Sequence, residues 1–166
     1  MKNTGKLEVT TPTDREIAMT RVFDAPRALV FEAFTRPELV RRWLLGPSGW
    51  TMPVCEIDLR VGGRYRYVWR KPGVPDMGMG GVFREIVPAE RIVATESFDE
   101  AWYDGEAVDT TLFAEKGGRT TVTMTMLLAT KEIRDKILES GMERGVEESY
   151  DRLEEILASQ AAGTPR

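Results

Sequence analysis

The chain has 166 residues, 42% of them hydrophobic and 30% charged, which suits one globular domain around a single core. Its 27 acids against 23 bases give a net charge of −4, a poor balance for gripping nucleic-acid phosphates. The sequence contains no histidine and one cysteine, Cys55. Those two facts exclude Ser-His-Asp and Cys-His catalysis, histidine-ligated metals, an internal disulfide and any multi-cysteine metal centre.

No loop carries the ligand spacing of an all-carboxylate magnesium or calcium site, so neither metal nor cofactor is expected. No apolar run approaches the roughly 20 residues needed to cross a bilayer, so membrane insertion is not expected either. The opening MKNTGKLEVTTPTD is polar and lacks the apolar core of a signal peptide, which makes cytoplasm the expected location.

In chain order, residues 1–13 read as a flexible arm. Arg15–Asp24 alternates as a strand, with Ile17, Met19 and Phe23 on one side. Asp24-Ala25-Pro26 is a strand-to-helix junction, with proline in the first turn, where its missing N–H does no harm. A short helix over residues 28–34 follows. A second, PELVRRWLL, starts at Pro37 and stops at Gly46-Pro47.

Strand signals then recur between turn residues. Trp50–Leu59 is interrupted by Pro53, which predicts an edge strand. Gly62-Gly63 supplies a tight turn. Arg64–Arg70 alternates Tyr65, Tyr67 and Trp69 with more polar positions, and KPGVPDMGMGG reads as a turn-rich loop. Val82–Val87, Arg91–Phe98, Ala107–Ala114 and Thr120–Leu128 complete about six strands in a meander. In the last of them Val122, Met124 and Met126 are expected inward and Thr121, Thr123 and Thr125 outward.

The C-terminal stretch Thr130–Ala158 has apolar or small residues at Ile133, Ile137, Gly141, Gly145, Ser149, Leu153 and Ile156, one face of a helix capped by Thr130. Its middle is thin. Each glycine costs about 1 kcal/mol relative to alanine in a helix interior. Either the backbone there approaches a neighbour closely or kinks, or the space is left open as a pocket. Residues 159–166 read as a flexible tail. The element order predicts an α+β fold, a curved antiparallel sheet wrapped around a long terminal helix.

Four blocks, RVFDAPRALVFEAFTRPELVRRW, DLRVGGRYRYVWR, GGVFREIVPAERIV and GVEESYDRLEEIL, resemble the family of homologues of the activator of heat-shock protein 90 ATPase. That family lies in the START-like, or SRPBCC, superfamily. The resemblance runs over about residues 14–158, the extent expected for one START-like domain. It implies a helix-grip (Bet v 1-like) fold, in which a seven-stranded sheet cradles the terminal helix around a cavity for apolar molecules. The chain departs from the family pattern at Gly145-Val146, where Gly-Trp is usual, and at Glu96, where an aromatic residue is usual.

These readings single out a candidate ligand-contacting set. Tyr67, Trp69, Phe83, Phe113, Met124, Met126 and Met142 form an aromatic and methionine-rich group expected to face the helix, with Gly145 and Ser149 opposite. Methionine adapts to varied apolar shapes. Glu96 stands in register with Ile92, Ala94 and Phe98, so it is expected inward with them. A carboxylate there contacts a bound polar group, is solvated at the cavity mouth, or pairs with Arg66 or Arg91. Trp43, Trp50 and Trp102 are candidates for a cavity mouth or for local packing. The Gly62-Gly63 and Gly78–Gly81 clusters lack a phosphate-loop setting and read as hairpin turns. Arg64, Arg66, Arg70 and Lys71 read as a solvated face, and Cys55 as an unreactive thiol.

The expected function is binding of a small apolar or amphipathic molecule between sheet and helix. The alternatives are an interaction module for a chaperone or stress response, and a cyclase- or hydrolase-type enzyme using Glu96. The enzyme would need a second titratable group converging on the same pocket.

Overall fold

The computed structural model describes residues 6–163. In chain order the elements are β1 (Glu8–Thr10), β2 (Glu16–Phe23), α1 (Arg27–Thr35), α2 (Pro37–Trp43), β3 (Thr51–Ile57) and β4 (Arg64–Arg70). Then follow β5 (Met77–Val87), β6 (Arg91–Phe98), β7 (Ala107–Lys116), β8 (Arg119–Leu127), α3 (Lys131–Glu139) and α4 (Met142–Gly163). The strands form one antiparallel sheet in the order β1-β2-β8-β7-β6-β5-β4-β3. From β3 onward each strand pairs with the next in sequence, and β8 returns to lie on β2. This is the helix-grip architecture, with β1 as an eighth strand.

Local chemistry sets the elements. Pro37 opens α2, where its missing donor is harmless. The indole of Trp43 donates to the Ala33 carbonyl at 2.9 Å and fastens α2 onto α1. Pro53 sits in the register shift between Thr51 and Val54 on β3, which lies at the sheet edge as proline requires. Among the strand residues expected inward, Val122 and Met126 are buried and Met124 is half-buried.

Several boundaries differ from the sequence reading. Glu8–Thr10, placed in a flexible arm, pairs with β2. Residues 159–163, placed in a flexible tail, continue α4. Residues 1–5 and 164–166 lie outside the described residues. Met77–Gly81, read as loop and hairpin turn, opens β5. Its glycines mark close approach of neighbouring groups, not a reversal of the chain. A Cβ on Gly81 would sit 1.9 Å from the Thr95 carbonyl oxygen, and one on Gly78 would sit 2.2 Å from Asp99 Oδ2. A second register shift between Phe83 and Glu85 adds to the curl of this half of the sheet.

The terminal helix is also divided. Thr130 caps α3 as expected, its hydroxyl accepting from the Ile133 N–H at 3.1 Å. At Gly141 the backbone turns left-handed, φ +82°, and α4 begins at the next residue. Glycine is needed there for the break. Its small size is not what the position uses, because a Cβ would meet nothing within 4 Å.

The core lies where the second half of α4 meets β2 and β8. Ile17, Met19, Phe23 and Val122 are fully buried with Leu153, and the Phe23 and Tyr150 rings meet edge-on with centroids 5.3 Å apart. Arg21 shares this inward face and is 1% exposed. Its guanidinium donates to Asp151 at 2.8 Å and Glu154 at 2.5 Å, both on α4, and lies over the Phe23 ring. An ion clamp therefore holds the second half of α4, while its first half spans open space.

Candidate functional site

Between the sheet and the first half of α4 lies a cavity of about 540 Å³, a size typical of small-molecule sites. Tyr67, Trp69, Phe83, Glu96, Met124, Met126, Met142, Gly145 and Ser149 all line it. Phe113 does not. Its ring packs edge-on against Phe31 and Phe34, with centroids 5.4 and 5.3 Å away. At that height β7 lies beneath α1, so an inward residue meets α1 before it reaches α4. Trp43 and Trp50 line the cavity, whereas Trp102 packs against Phe98 and Tyr103.

The thin middle of the terminal helix has two causes at once. The loop Leu44–Pro47 comes up beside it and lines the cavity too. A Cβ on Gly145 would sit 3.4 Å from Pro47 Cδ, in ordinary van der Waals contact, so the loop lies close enough to leave room for little more than a methyl group. The Gly46 N–H donates to Ser149 Oγ at 2.9 Å and ties loop to helix. Close approach and open space coexist: the loop fills part of the gap and the cavity occupies the rest.

The polar wall is built on β6 and β7. Ile92, Ala94, Glu96 and Phe98 all line the cavity, as alternation requires. Across the ladder Ala94 faces Asp109 and Glu96 faces Ala107, so the two carboxyls are diagonal neighbours on the same inward face. Glu96 is 8% exposed and accepts from the Tyr103 hydroxyl at 3.3 Å. Asp109 Oδ1 is shielded from solvent and has no hydrogen-bond partner. Burial pushes the Asp109 carboxyl well above the usual carboxylate range, and the negative charge of Glu96 and a hydrogen bond with it push the same way. All of these influences favour the protonated form of Asp109.

The phenols around this pair are held neutral as well. Burial raises Tyr65, Tyr67 and Tyr103 above the usual tyrosine range, and the charges of Glu96 and Asp109 add to the shift. The Tyr65 hydroxyl donates to the Thr95 carbonyl at 2.6 Å.

The two arginines weighed as partners for Glu96 are engaged elsewhere. Arg66 forks onto Asp99 at 3.0 and 2.6 Å, and Arg91 holds Glu85 at 3.0 Å, all on exposed surface. Arg70 likewise pairs with Asp76. Burial, the largest influence on Cys55, raises its thiol to about 11, which fits an unreactive side chain.

Asp109 was missed by sequence reading. The signal was present, since Ala107, Asp109, Thr111 and Phe113 share one face of β7. What placed Asp109 beside Glu96 was the β6–β7 register, which alternation within one strand does not fix.

Residues 24–158 match the family described as activator of Hsp90 ATPase homolog 1-like protein. The chain belongs to this family. Solved structures agree on the fold. A Rhodobacter sphaeroides protein is similar at 29% identity, covering 93% of this chain and 99% of its own, with a TM-score of 0.87. A Chromobacterium violaceum protein has 27% identity over 87% of this chain and 98% of its own, TM-score 0.75. An AHSA1-like protein from Aeromonas hydrophila, at 18% identity, covers 91% of this chain and 97% of its own, TM-score 0.67, and supports the fold alone. No curated protein sequence matches the chain. For this member of the family, no helix among the described residues is long and apolar enough to cross a membrane.

Proposed function

We propose that this protein binds a small apolar or amphipathic molecule in the cavity between its sheet and the first half of α4. The observation that carries the reading is the 540 Å³ space itself, walled by aromatic and methionine side chains with one polar patch. A chaperone-interaction module, the alternative that the family description suggests, has no need of such a space. Native mass spectrometry of protein purified from its own host tests the proposal, together with titration by the neutral apolar dye Nile red. The expected result is a co-purifying small molecule or saturable dye binding. An empty protein that leaves the dye in water refutes it.

A second reading, catalysis of the cyclase or hydrolase kind, gains support from Glu96 and Asp109. Two carboxyls in one pocket, one of them shifted toward its protonated form, are the acid and base that such a reaction needs. Chemical change of a captured ligand with time, lost in Asp109→Asn, would separate catalysis from carriage.

A further inference from the structure

The cavity wall is electrostatically one-sided. Glu96 and Asp109 are its charged or chargeable acids, and no lysine or arginine is among its lining residues. A carboxylate, sulfate or phosphate ligand would find no cation in the wall and would face the Glu96 charge at close range. The acceptor side is also incomplete. Asp109 Oδ1 is shielded from solvent with no donor supplied by the fold, an unfavourable state that a ligand N–H would relieve once a small shift of the Asp109 side chain opened it to the cavity. The nearby phenol donors are already engaged, Tyr65 with Thr95 and Tyr103 with Glu96. The wall therefore asks its ligand to donate, not to accept.

The apolar surroundings favour the same partner. Tyr67 and Trp69 both line the cavity, their rings edge to face with centroids 5.8 Å apart, and such ring faces attract cations. We infer that the ligand is an amphipathic amine: an apolar body seated among the aromatic and methionine side chains, with a protonated amino group held by Glu96 and Asp109. Carboxylates of similar size are disfavoured by the same wall. This rests on the cavity reading above and gives it a substrate class.

Three probes with one apolar body and different polar ends test the inference: 4-phenylbutylamine, 4-phenylbutanol and 4-phenylbutyrate. Their affinities are measured by calorimetry at pH 7 and low salt on the full chain. Wild type is expected to bind the amine at least about tenfold more tightly than the acid, since the Glu96 carboxylate attracts the ammonium and repels the carboxylate. Glu96→Gln is expected to erase the amine advantage, with the amine affinity falling more than that of the alcohol. Equal or tighter binding of the acid by wild type overturns the inference without recourse to any variant, as does an amine advantage that survives in a folded Glu96→Gln protein. If the alcohol and Nile red bind but the amine is not preferred, the charge argument alone falls. If none of the four binds, the cavity reading falls with it.

Discussion

The clamp on α4 yields the sharpest quantitative expectation. Arg21 is 1% exposed and its two acidic partners differ, the Asp151 side chain being 55% exposed and that of Glu154 16%. An exposed partner contributes little, about 0–1 kcal/mol, so Glu154 carries most of the interaction. Truncation in Arg21→Ala leaves Glu154 largely buried without its cation, a loss of about 3–5 kcal/mol. For a chain of this size each kcal/mol shifts the melting midpoint by about 2–4 °C, so the variant should melt roughly 6–20 °C lower. Differential scanning calorimetry with urea titration reads this directly. Replacing both members, in Arg21→Met with Glu154→Leu, should recover most of the loss, because a packed apolar pair replaces an ion pair without leaving a charge behind. Stability in Arg21→Ala within about 1 kcal/mol of wild type would refute the view that this contact holds the helix to the sheet.

Other outcomes follow from the site. Asp109 has a folded pKa raised above its unfolded value, so its protonated form stabilises the fold at acid pH. That contribution is lost as pH rises through the raised pKa. Asp109→Asn, which cannot ionise, should gain stability relative to wild type as pH rises from the acid range, levelling off above the raised pKa; urea titrations across pH show it. Ser149→Ala removes the acceptor of the Gly46 N–H and should cost about 1–3 kcal/mol, with faster amide exchange at Gly46 by NMR. Gly81→Ala drives a Cβ against the Thr95 carbonyl and should destabilise by at least about 1–3 kcal/mol in chemical denaturation. Cys55, buried with its thiol near 11, should resist a thiol reagent at pH 8 until urea unfolds the chain.

Much of the fold was legible because periodicity reports what one element does on its own. Alternation placed β2, β4, β6 and β8, and Pro53 marked an edge. The misreadings in β5 and in the terminal helix share a cause: glycine has several meanings that only neighbours distinguish. In β5, Gly78 and Gly81 look like turn residues, yet they are small because Asp99 and Thr95 press on them. In the terminal helix, Gly141 and Gly145 look alike. One supplies a left-handed joint and the other lies against Pro47. The site was half legible for a related reason. Glu96 was visible as a lone acid in an apolar strand, but its partner came from a different strand, and pairing is a tertiary fact. Phe113 failed the other way, inward as expected but beneath α1.

The joint at Gly141 has a mechanical consequence. On one side α3 is moored to the sheet region through Arg134, whose Nη1 donates to the Thr13 carbonyl at 2.8 Å. On the other, the later turns of α4 are moored through Arg21. The span between, roofing the hollow, is strung like a bow with the Ser149 bond as its central tie. Both ends of the roof are thus fixed, and between them the Ser149 bond joins it to the loop beside the hollow.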